Sequence, residues 1–122
     1  MEYLSNYWWL ILIIISIVIL ISKSLNNLKK TNNIKEFIDD NAVIIDVRSE
    51  SEFNSGNLVG SVNVPLKDLI YRVNEFEKEK KYITVCTVGM RAESAKKFFK
   101  KRGYQVLNGG RWSNLKDLRN NT

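Results

Sequence analysis

The stretch YITVCTVGMR, residues 82–91, combines three local patterns that decide the fold. Its first half, Tyr82–Cys86, is a run of apolar, β-branched and aromatic residues that predicts a buried strand. A loop containing Gly89 follows. From Arg91 to Arg102 the apolar residues recur at helical spacing, which predicts a helix packed by one side. A strand, a short loop and a helix in this order are typical of a parallel sheet covered by helices.

The same alternation continues on both sides of this stretch. Strands are predicted at residues 42–47, 61–64, 82–86 and 105–107. Helices are predicted at residues 33–38, 49–54, 66–78, 91–102 and 111–118. Short strands alternating with helices favour an α/β fold with a parallel sheet flanked by helices on both faces. In such sheets ligands bind beyond the carboxyl ends of the strands, where Cys86 and Asp46 are expected.

The loop that begins at Cys86 carries the chemistry. A loop that curls into a helix N-terminus turns backbone N–H groups inward, and these donors, the helix dipole and Arg91 all favour an anion. The loop therefore favours the thiolate of Cys86, which is the nucleophilic form of cysteine. Alone, a cysteine at a strand end is more often a small buried hydrophobe. The residues expected to form the binding loop are Thr87, Val88, Gly89 and Met90.

Residue counts exclude several kinds of site. The chain has one cysteine and no histidine, which excludes an intrachain disulfide, Ser-His-Asp and Cys-His mechanisms and zinc sites containing histidine. We expect no metal and no cofactor. The net charge of +6 is typical of a solvated lysine-rich surface beside a membrane, because no nucleic-acid-binding motif accompanies it. We therefore expect no nucleic-acid partner.

The N-terminus predicts a transmembrane anchor at residues 3–22. These 20 residues carry no charge, and a helix of that length rises about 30 Å, the thickness of the bilayer hydrocarbon. A cleaved signal peptide is disfavoured because no positive region precedes Tyr3. A buried core helix would need a larger protein around it. Aromatic residues gather at the interface end of the span, at Tyr3, Tyr7, Trp8 and Trp9.

The residues after the span predict its orientation. Residues 23–32 form a polar, basic linker, and Glu2 is the charged side chain before the span. The positive-inside bias places the N-terminus outside the cell membrane and the main domain, residues 33–122, in the cytoplasm. A single-pass protein held by membrane lipid through its N-terminal helix is therefore expected.

Residues 33–119 resemble the rhodanese-like domain family. Cys86, four residues and Arg91 resemble the active-site loop of that family. The segments DVR at 46–48, GNLVGSVNVP at 56–65 and LNGG at 107–110 resemble further motifs, in the same order and spacing. Asn57 departs from the family, which usually has histidine there, and this affects local packing.

The resemblance implies a sulfurtransferase. Cys86 would take sulfane sulfur from a small anionic donor, thiosulfate or a low-molecular-weight persulfide, and pass it to cyanide or a thiol acceptor, either a small thiol or a thioredoxin-like protein. Arg91 would assist. Asp46 and Arg48 are interpreted as supports, because a buried carboxylate needs a partner and a nearby arginine supplies one.

Two other functions remain open. The first is a membrane-tethered interaction or sulfur-relay module with little small-molecule turnover. The second is a phosphatase or an arsenate reductase. Related phosphatases carry five residues between cysteine and arginine, whereas this loop carries four, which suits a persulfide sulfur better than a phosphate. A redox reductase would need a second cysteine.

Overall fold

The computed structural model describes residues 5–120. The described chain divides into two compact units, with the boundary between Asn33 and Ile34. The second unit contains the sheet and the site discussed below.

Helix α1 spans Trp8–Asp39 and is long and apolar enough to cross a membrane. Its apolar side chains are exposed as far as Leu28. Tyr3 and Leu4, the first residues of the predicted span, lie outside the described residues. The prediction that a new helix begins at Asn33 is wrong. No proline or glycine occurs between Trp8 and Asp39, so nothing in the backbone ends the helix within residues 23–33.

The second unit is built on a parallel four-stranded sheet with the order β2-β1-β3-β4. The strands are β1 Val43–Asp46, β2 Val62–Asn63, β3 Lys81–Cys86 and β4 Gln105–Arg111. The helices after α1 are α2 Glu50–Ser55, α3 Leu66–Arg72, α4 Met90–Lys101 and α5 Leu115–Asn120. Short 3₁₀ turns follow α3 and precede α5, at Val73–Glu75 and Trp112–Asn114.

Both faces of the sheet are covered, so the expected fold class is confirmed. Successive residues of β3 alternate between two apolar clusters, as the period of a strand requires. Tyr82 joins the cluster made with α3 and α4, which includes Leu69, Ala95 and Phe99. Ile83 and Val85 join the cluster on the other face, made with the end of α1 and with α5, which includes Ile34, Ile44 and Leu115.

The ends of β4 and of α3 differ from the sequence prediction by several residues. Strand β4 continues to Arg111 rather than ending at Leu107, and one extra residue interrupts its register with β3. Gly109 allows this, because a Cβ there would lie 2.7 Å from a methyl carbon of Ile83. The helix predicted to Lys78 ends at Arg72, because the chain tightens into a 3₁₀ turn that buries Val73.

Candidate active site

Cys86 is the last residue of β3 and is fully buried. By the alternation of the strand, its side chain lies on the face covered by α3 and α4. The N–H of Gly89 donates to Sγ of Cys86 at 2.9 Å. Gly89 has φ +93°, a backbone conformation that residues with a side chain rarely adopt, which explains why this position is a glycine. The loop thus folds back so that a backbone donor points at the thiol.

The rest of the loop lies at the surface. Thr87 is exposed, and Val88 and Met90 are each 76% exposed. Helix α4 begins at Met90 and runs for 12 residues. The first N–H groups of an α-helix have no acceptor within the helix, and its dipole is positive at that end. An anionic sulfur beside this helix start therefore lies in a favourable field.

Arg91 forms an ion pair with Glu52. Its Nη1 and Nη2 donate to the two carboxylate oxygens of Glu52 at 2.8 and 3.0 Å. The Thr87 hydroxyl donates to the same carboxylate at 3.2 Å. The hydrogen bonds from Arg91 and then from Ser49 hold the pKa of Glu52 far below its usual value, and the bond to Glu52 raises the pKa of Arg91.

Sequence reasoning missed Glu52 as a site residue. Ser49 and Glu52 form a capping box at the start of α2, a pattern of spacing that the sequence displays. That pattern predicts a helix start. It does not predict a bond to an arginine 39 residues further along the chain.

Asn108 also escaped the sequence prediction. Its side-chain amide donates to the Gly89 carbonyl at 3.1 Å and to the Glu93 carboxylate at 2.9 Å, and its oxygen accepts from the N–H of Gly110 at 2.8 Å. The side chain therefore ties β4 to the loop and to the first turn of α4. The extra residue in β4, which only the tertiary structure displays, accompanies this arrangement.

Asp46 and Arg48 form a buried ion pair on the other side of the sheet. The Arg48 guanidinium donates to the Asp46 carboxylate at 2.8–3.0 Å. The same guanidinium donates to the carbonyl oxygens of Glu52 and Gly56 and lies 4.8 Å from the centre of the Trp112 ring. The pair therefore holds α2, the helix that carries Glu52, through one carbonyl group within it and one at its C-terminal end. By strand alternation Asp46 points to the face opposite Cys86.

The predicted site residues thus form two groups. Cys86, the loop and Arg91 come together at the carboxyl end of β3. Asp46 and Arg48 lie on the opposite face of the sheet and are connected to that site through α2, which Arg48 contacts and which carries Glu52.

A family profile described as the rhodanese-like domain matches residues 30–113. The chain belongs to the rhodanese-like domain family. The resemblance stated from the loop motif and its flanking segments is confirmed.

Relatives of this rhodanese-like domain include proteins named for sulfur transfer. YtwF of Bacillus subtilis, provisionally named a sulfurtransferase, is 29% identical over 70 residues, covering 57% of this chain and 68% of YtwF. A tRNA sulfurtransferase of Thermoplasma acidophilum is 32% identical over 87 residues, covering 71% of this chain but 17% of that protein. A rhodanese from E. coli, solved with anions, has a TM-score of 0.56 and 26% identity, covering 60% of this chain and 89% of that one.

Proposed function

We propose that this rhodanese-like domain is a sulfurtransferase that carries sulfane sulfur as a persulfide on Cys86. The observation behind the proposal is the hydrogen bond from the Gly89 N–H to Sγ of Cys86 at the start of α4. That position supplies backbone donors and a helix dipole to an anionic sulfur without any histidine. Membership of the family, with relatives named as sulfurtransferases, supports the same reaction.

The reaction has two displacement steps. The Cys86 thiolate attacks the outer sulfur of thiosulfate or of a low-molecular-weight persulfide. The S–S bond of the persulfide forms as the donor bond breaks, and sulfite or a thiolate leaves with the electron pair. Cyanide or an acceptor thiol then attacks the outer sulfur, which releases thiocyanate or a new persulfide and restores the thiolate. Ping-pong kinetics follow from this order.

The loop residues have separate parts in this proposal. The backbone of Thr87, Val88, Gly89 and Met90 surrounds the persulfide, and Arg91, paired with Glu52, closes the loop. Because Cys86 is fully buried, part of the loop must move before a donor can reach the sulfur. Asp46 and Arg48 support the site by holding α2, and they take no part in proton transfer.

Intact mass of the full chain in detergent tests the proposal. After brief exposure to thiosulfate or glutathione persulfide, we expect a gain of one sulfur that cyanide removes. Cys86→Ser should gain none, and Thr87→Ser, which keeps the hydroxyl, should behave like the wild type. Failure of every donor to add sulfur to the wild-type chain would contradict the enzymatic proposal.

A sulfur-relay module is the second candidate, and the exposure of the loop favours it. Val88 and Met90 are apolar, lie on either side of Gly89 and are each 76% exposed. An acceptor or donor protein that covers them would reach the sulfur directly. In that case Val88→Ser, which removes the exposed apolar side chain without adding charge, should slow transfer to a protein acceptor such as a thioredoxin-like protein more than transfer to cyanide. Equal effects on both acceptors would argue against the relay.

We further propose that α1 anchors the protein in the cell membrane, with the N-terminus outside and the rhodanese-like domain in the cytoplasm. The support is the exposed apolar surface of the first part of α1, residues 8–22, and the lysines in the later part of the same helix, Lys23, Lys29, Lys30 and Lys35. In intact cells, a membrane-impermeant thiol reagent should label a cysteine introduced at Ser5 and spare one introduced at Ser113. The reverse pattern would contradict the orientation.

A further inference from the structure

Arg91 is the cation beside the proposed persulfide, yet its charge is already matched. Two of its nitrogen atoms contact both carboxylate oxygens of Glu52, at 2.8 and 3.0 Å. A bidentate pair of this kind, between an arginine and a carboxylate, is among the stronger ion pairs in proteins. An incoming anion therefore meets a neutral pair rather than a free guanidinium.

The groove beside Arg91 adds no net positive charge. Its volume is about 310 Å³, and its charged lining residues are two acids and two bases, namely Glu50, Asp68, Lys67 and Arg91. These four charges cancel, and Glu52 on Arg91 makes the local balance negative by one. A donor with two negative charges is repelled more strongly here than a donor with one.

We propose that Glu52 determines donor specificity by neutralising Arg91, so that the site prefers sulfur donors with one negative charge or none over the thiosulfate dianion. This inference rests on the proposed persulfide function and narrows its substrate class. Glu52 acts through Arg91 and is a positioning residue. The persulfide chemistry on Cys86 is unchanged, since only the charge facing the donor differs.

Two donors with the same reacting sulfur separate charge from chemistry. Thiosulfate transfers its outer sulfur with sulfite as the leaving group and carries two negative charges. Methanethiosulfonate transfers its outer sulfur with methanesulfinate as the leaving group and carries one. The measured quantity is kcat/KM for thiosulfate divided by kcat/KM for methanethiosulfonate, on the full chain in detergent with cyanide as acceptor.

Glu52→Gln is the informative variant. Glutamine at the third helical position preserves the capping box with Ser49, so α2 remains intact while the charge is removed. We expect the ratio to rise by about threefold or more, the factor for one unit charge about 6 Å from a second one in water. The change should lie mainly in KM for thiosulfate. Glu79→Gln, at the opposite end of β3, makes the same change in net charge and should leave the ratio unaltered.

The outcomes distinguish this inference from the function on which it rests. If both donors place sulfur on Cys86 and the ratio in Glu52→Gln equals that of the wild type, the specificity role of Glu52 is wrong and the sulfurtransferase stands. An equal rise in Glu79→Gln would also overturn it, because net charge alone would explain the effect. If neither donor places sulfur on Cys86, the proposed function fails and this inference fails with it.

Discussion

Replacing Asp46 with asparagine should strongly destabilise the domain. Asp46 is fully buried and Arg48 is 5% exposed, and the guanidinium lies within 2.8–3.0 Å of the carboxylate. Asparagine is close to aspartate in size but leaves the buried guanidinium without its counter-charge. Breaking a buried pair in this way costs about 3–5 kcal/mol. We expect a value near 3 kcal/mol, because Arg48 retains its bonds to two backbone carbonyl groups.

Urea unfolding of the full chain in detergent measures this loss. Near-ultraviolet circular dichroism reports on the packed rings of Tyr82, Phe99 and Tyr104, which belong to the core of the domain. Domain stabilities are commonly about 5–15 kcal/mol, so the predicted loss moves the midpoint far beyond experimental error.

The matched control is an exposed ion pair. Arg72 and Glu75 lie 2.8 Å apart, with side chains 41% and 57% exposed. Water screens such a pair, so Glu75→Gln should change the free energy of unfolding by less than about 1 kcal/mol. A loss below about 1 kcal/mol in Asp46→Asn as well would refute the claim that the buried pair supports the domain.

Two further predictions concern the sheet and the pH response. Gly109→Ala should lower the free energy of unfolding by about 1–3 kcal/mol, because the new Cβ would lie 2.7 Å from Ile83 and 3.0 Å from Val85. A free energy within about 0.5 kcal/mol of the wild-type value in urea unfolding would contradict this, because it would mean that β4 shifts to make room for the methyl group. Hydrogen bonds from Arg91 and Ser49 lower the pKa of Glu52, so the folded state binds a proton less readily than the unfolded chain. The stability that this ion pair contributes is therefore present above the ordinary pKa of 4.5 and is lost as the pH falls below that value. Glu52→Gln should therefore show a shallower loss of midpoint denaturant concentration than the wild type between about pH 5 and pH 3, and parallel curves would contradict the pair's contribution.

Local patterns in the sequence were sufficient for the strands and helices of the second unit and for the fold class. The β-branched run at 82–86 produces β3, and the apolar spacing after Arg91 produces α4, because each pattern reflects burial on the period of its own element. The short helix predicted at residues 49–54 is α2. The ends of the elements were predicted less accurately than their types. A glycine pair that favours a turn lies inside β4, where its lack of side chains lets the strand pack against Ile83.

The sequence by itself determined that Cys86 is the one available thiol, that it lies at the end of a strand before a glycine loop, and that Arg91 closes that loop. These features are local, so the order of residues is enough to place them. Only the tertiary structure decided that Glu52 forms an ion pair with Arg91, that Asn108 holds the loop, and that Asp46 and Cys86 point to opposite faces of the sheet. Such contacts join residues far apart in the chain, and they depend on how the parallel strands set their register and on which face each side chain leaves the sheet.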